Sequence, residues 1–176
     1  MLRSSVARWA AITALTAALE LTGVASAHAA AAPVRFSDQV EPFVEQFGPG
    51  DDLCFASGGE IAGTDTYSGI HFQTDQIFHI SIRDLIDYTI HYDDPALPEY
   101  TGHAIAHFTF NGQLTPGSDT IVMTSHTTDR ATAPDGTSVV VHEIAHGTVL
   151  DTEPPDPSPG DVVHVSFDRV NVSCPQ

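Results

Sequence analysis

The sequence predicts an all-β protein, a single antiparallel up-and-down β-barrel of about eight strands, with a β-sandwich as the alternative. Three observations carry this. Apolar and polar residues alternate with period two over most of the chain after residue 53. Turn residues interrupt that alternation at short intervals. Two cysteines, Cys54 and Cys174, bracket the alternating region.

The chain has 176 residues, which suits one domain with a core of useful size. Residues 1–31 read as an export signal: Arg3 and Arg8 precede an apolar run over 9–19, and small-residue sites such as Ala25-Ser26-Ala27 follow. The run is too short to span a bilayer. Its removal leaves four Arg, no Lys and 22 acidic residues, a net charge of −18. That charge excludes nucleic-acid binding through a basic surface and argues against an anionic membrane as partner. The expected location is extracellular, with no membrane span after signal removal.

Residues 32–52 form an N-terminal arm or a short helix in this reading. Val40, Phe43, Val44 and Phe47 recur at helical spacing, with Ser37 as N-cap and Gly48 as stop, although Pro42 interrupts them. Residues 53–176 form the β-barrel domain. Its alternating runs include Phe78/Ile80/Ile82, Ile86/Tyr88/Ile90/Tyr92, Ala104/Ala106/Phe108/Phe110 and Val163/Val165/Phe167. Turns are expected at Gly58-Gly59, Thr74-Asp75, Asp93-Asp94-Pro95, Asn111-Gly112 and Pro134-Asp135-Gly136, with a long hairpin loop over 152–160. Cys54 opens the first strand-like segment and Cys174 closes the last; in an oxidising compartment they pair and hold the sheet closed.

His142-Glu143-Ile144-Ala145-His146 matches H-E-x-x-H. On a helix, its two histidines would grip zinc one turn apart while the glutamate activates water, as in a zinc-dependent metalloprotease. On a strand, residues i and i+4 stand about 13 Å apart and cannot share one ion. Val139, Val140, Val141, Thr148 and Val149 are β-branched and favour the strand. His103-Ala104-Ile105-Ala106-His107 repeats the histidine spacing without the glutamate. The third-ligand signatures of the metzincins and related proteases are missing, although Asp151, Glu153 and His164 offer donors. The strand reading is preferred, with no catalytic residues, no metal and no cofactor expected; zinc on His142 and His146 with Glu143 as base is the alternative.

Other chemistry is sparse. Paired strands could bring His103 to His126, or His146 to His164, within reach of a metal. The acidic stretches Asp51-Asp52, Asp93-Asp94 and 151–161 contain no EF-hand loop and read as solvated surface. Neither a Gly-rich phosphate loop nor a G-x-S-x-G elbow occurs.

The segments Tyr100-Thr101-Gly102-His103, His107-Phe108, Asp135-Gly136-Thr137 and Val165-Ser166-Phe167-Asp168-Arg169, with His142, His146 and Cys174, give the chain a likeness. It resembles a loose group of small exported β-domain proteins of unknown function from high-GC Gram-positive bacteria. The resemblance implies a closed antiparallel β-domain and carries over no catalytic residues. The expected function is therefore a secreted non-catalytic barrel binding a small apolar ligand. The alternatives are the metalloprotease and a cell-surface interaction domain.

Overall fold

A computed structural model describes residues 32–74, 76–115, 118–151 and 162–175. Residues 1–31, where an export signal is expected, and residues 152–160, where a hairpin loop is expected, lie outside the described residues. Seven strands are described, against the expected eight or so: β1 (Val34–Phe47), β2 (Gly59–Gln73), β3 (Ile77–Tyr92), β4 (Tyr100–Thr115), β5 (Ser118–Thr132), β6 (Ser138–Asp151) and β7 (Val162–Ser173). They form one antiparallel sheet in the order β1-β2-β3-β4-β5-β6-β7, an up-and-down meander. No helix among the described residues is long and apolar enough to cross a membrane.

Period two explains why β3 and β4 are strands and which way they face. Ile80, Ile82, Ile86, Tyr88 and Ile90 of β3 and Ala104, Ala106, Phe108 and Phe110 of β4 are buried. The intervening Arg83, Asp87, His103 and His107 are exposed. Each large apolar side chain so buried contributes roughly 1.5–3 kcal/mol. These core residues all lie on one face of one sheet. With no second layer among the described residues, the sheet must curl over that face to bury it.

The disulfide fits the curl. Flat, β1 and β7 would stand about 29 Å apart at the usual strand spacing. Cys54, in the loop 48–58 between β1 and β2, is nevertheless bonded to Cys174, just past β7, with a Cα–Cα distance of 5.4 Å. The pairing agrees with the sequence expectation. Cys54 lies before the second strand, however, and does not open the first.

The helix reading of the arm does not hold: residues 34–47 are the first strand, paired with β2 along its length apart from an irregularity between Phe36 and Gln39. The pattern misleads because Phe43 and Phe47 share the core-side face while Val40 and Val44 point the other way, 59% and 69% exposed. Pro42 lacks the N–H an interior helical turn needs, and an edge strand tolerates it. The turn expected at Asn111-Gly112 is also corrected. Both residues lie inside β4, opposite His79 and Phe78. Gly112 is needed there because the Phe78 ring lies across it, and a Cβ would collide with that ring. By contrast, the turn at Pro134-Asp135-Gly136 is present. Gly136 has φ 88°, and Asp135 Oδ1 accepts from the Thr137 N–H at 2.9 Å.

Candidate functional site

The H-E-x-x-H segment lies within β6, as its β-branched flanks predict. Alternation puts His142 and His146 on one face and Glu143 on the other, the core side, opposite Thr127 and Val170. The strand rise separates the two histidines by about 13 Å. The zincin geometry, two ligands and a base around one ion, cannot form on this backbone.

The proposed histidine pairs are also redrawn. His103 stands opposite Arg130 and Asp87 rather than His126, and its Nδ1 lies 2.7 Å from Asp87 Oδ1. The residue opposite His126 is His107. In backbone register His146 pairs with Phe167, and His164 with Thr148. Among the described residues no group of three or more His, Cys, Asp or Glu is placed to hold a metal ion. The acidic loops spend carboxylates on their own backbone. Asp52 Oδ1 accepts from the N–H groups of Cys54 and Phe55 at 2.7 and 2.8 Å, and Asp94 Oδ1 accepts from Ala96 N–H at 2.9 Å.

The unusual chemistry lies on the core side of the sheet, which is layered along the strands. At the disulfide end, Phe55 packs on Tyr92 and Tyr100 with ring centroids 5.2 and 5.6 Å away. Phe47 meets Tyr92 edge-on at 5.9 Å. This aromatic layer lets the loop 48–58 cover the strand ends, and Tyr92 Oη donates to Asp52 Oδ2 at 2.9 Å.

The middle layer carries carboxylates. Tyr88 on β3 reaches over Gly102 on β4 and donates to Asp129 Oδ1 on β5 at 2.5 Å. A Cβ at position 102 would overlap the Tyr88 ring, so glycine is what permits this crossing. Burial pushes the Asp129 carboxyl up to about 6, against the Tyr88 hydrogen bond, which favours the charged form.

Asp65 on β2 and Asp84 on β3 are 6% and 1% exposed. Asp84 pairs with Tyr67, two residues from Asp65, so the two carboxylates are diagonal neighbours on one face. Neither Asp65 Oδ1 nor Asp84 Oδ1 has a hydrogen-bond partner among the described residues. Burial, and then the charge of Asp65, push the Asp84 carboxyl up to about 8. Burial, and then Glu41 directly opposite on β1, push Asp65 up to about 6. Glu41 itself accepts from Tyr67 Oη at 2.9 Å.

Farther from the disulfide, His71 Nε2 and Gln73 Oε1 on the same face of β2 are buried and also unpartnered. Buried polar atoms left without partners are uncommon, because each costs about 1–3 kcal/mol. Four such atoms lie on one face of two adjacent strands. Sequence reasoning missed all four residues. The signal for Asp84 was its phase: it occupies the apolar position of the β3 alternation, between Ile82 and Ile86.

Comparison with known protein families, curated proteins and solved structures returns no match.

Proposed function

We propose that this chain is an exported, non-catalytic β-domain that binds a small, mainly apolar molecule on the inside of its curled sheet. The observation that carries the reading is a single-sheet interior. It combines buried Ile, Phe and Tyr side chains with unpartnered buried polar atoms. Ligand sites have that composition: apolar walls with a few polar groups that fix orientation. The amino-terminal signal pattern and the Cys54–Cys174 bond support export. The strand conformation of β6 favours binding over zinc proteolysis.

Titration with N-phenyl-1-naphthylamine, an apolar fluorophore, tests this. A saturable fluorescence rise with one site per chain, reversed by decanol, is the expected result. Ala106→Phe, which places a ring in the middle of the buried face, should abolish it in protein that retains its circular dichroism. No saturable binding, or binding indifferent to Ala106→Phe, refutes the interior site.

A further inference from the structure

The middle layer narrows the class of ligand. We infer that the molecule bound inside the sheet carries a protonated amine, held by Asp84 and Asp65, with its apolar part against the core side chains. This rests on the binding role proposed above.

The charge distribution is the first argument. In Asp84's row of the sheet and the adjoining row of Asp65, the polar groups on its face are Gln39, Glu41, Asp65 and Tyr67 from β1 and β2, Thr127 and Asp129 from β5, and Glu143 from β6. β4 contributes only Ala104 and Ala106 beside them. None of these groups is a cation. The four arginines of residues 32–175, Arg35, Arg83, Arg130 and Arg169, are all exposed on the opposite face. The chain contains no lysine.

The second argument is independent of charge count. Asp84 and Asp65 are more than nine-tenths buried, and each aims an oxygen at the interior with no donor to meet it. The other interior carboxylate, Asp129, has Tyr88 as its donor. Asp129 has a tyrosine donor, whereas one buried oxygen of Asp65 and one of Asp84 have none among the described residues, which leaves those two oxygens for a donor from outside. An ammonium group brings three N–H donors and the missing positive charge together, so it satisfies both carboxylates. A carboxylate head group would add a like charge to the layer. Tyr67 pairs with Asp84 across β2–β3 and is only partly buried.

Calorimetric titration of the purified, disulfide-intact protein with decylamine, decanol and decanoate, each below its micelle concentration, reads this out. Decylamine should bind about 30-fold or more tighter than decanol, and Asp84→Asn should reduce that ratio to about threefold or less. Should the variant fail to fold, proton linkage in the wild type decides. At pH 7 decylamine binding should release about one proton, seen as a heat that depends on the buffer, and decanol none. Decanol binding as tightly as decylamine, or amine binding without proton release, overturns the inference and leaves the apolar site standing. Failure of all three probes to bind overturns the interior site itself.

Discussion

Asp84 makes the stability of this protein depend on pH in an unusual direction. Its carboxyl, ordinarily near 3.8, is held at about 8 by burial and by Asp65. In the unfolded chain it returns to its ordinary value. Between about pH 4 and pH 8, the unfolded chain has therefore released this proton while the folded one retains it. Folding then binds a proton, and stability falls as pH rises. The stabilisation relative to the ionised group is complete below pH 4 and is lost by about pH 8. At about 1.4 kcal/mol per pH unit, the change across that window is on the order of 5 kcal/mol. Asp65 and Asp129 act in the same direction but finish near pH 6, while Glu45, raised to about 7 by burial and then by Asp51, acts in the same direction inside the interval from pH 6 to 8, so Asp84 is read there as the difference from a variant that keeps Glu45. The perturbation is Asp84→Asn, an isostere that does not titrate. Urea unfolding of both proteins at half-unit steps from pH 4 to 8 is the assay. Relative to the variant, the wild type should lose about 1.4 kcal/mol more per pH unit between pH 6 and 8. Parallel stability curves for the two proteins would refute the buried, protonated Asp84.

Three further outcomes follow from the same geometry. Gly102→Ala should destabilise by roughly 2–5 kcal/mol in urea unfolding, because the new methyl displaces Tyr88 and strips Asp129 of its donor; a change under about 0.5 kcal/mol would contradict the crossing of Tyr88 over β4. Replacing both cysteines, Cys54→Ser with Cys174→Ser, should cost about 4–5 kcal/mol, the chain-entropy value for residues 120 apart in sequence; an unchanged urea midpoint would count against it. His142→Ala, His146→Ala and Glu143→Gln should leave zinc retention after dialysis and casein digestion no different from wild type, and Glu143-dependent digestion would overturn the strand reading of β6.

Much of the sheet is written in the chain as parity. The alternation of β4 runs from Tyr100 through Phe110 and matches its burial residue by residue. β6 is legible from its β-branched residues even though it carries a protease-like motif. β1 is not legible, because four apolar residues at helical spacing also fit a strand that exposes two of them, and only pairing with β2 decides. The Asn111-Gly112 pair carries a turn signal that tertiary packing overrides, since the Phe78 ring supplies the apolar cover that glycine lacks. The candidate site was hidden for a related reason. Read residue by residue, an aspartate between Ile82 and Arg83 on one side and Leu85 and Ile86 on the other looks like a break between two short strands. Only a continuous sixteen-residue β3 puts Asp84 in phase with the core. Its nearness to Asp65 then depends on the register with β2, which local sequence does not encode.

The central claim is that the inner face of the sheet is a binding surface. Two-dimensional NMR of the labelled protein during titration with decylamine tests it most directly, because every backbone amide reports its own surroundings. Saturable shifts centred on Asp65, Asp84, Ala104, Ala106 and Phe108 are expected, with His103, His107 and His142 on the outer face unmoved. Shifts confined to the outer face, or none at saturating ligand, would contradict it.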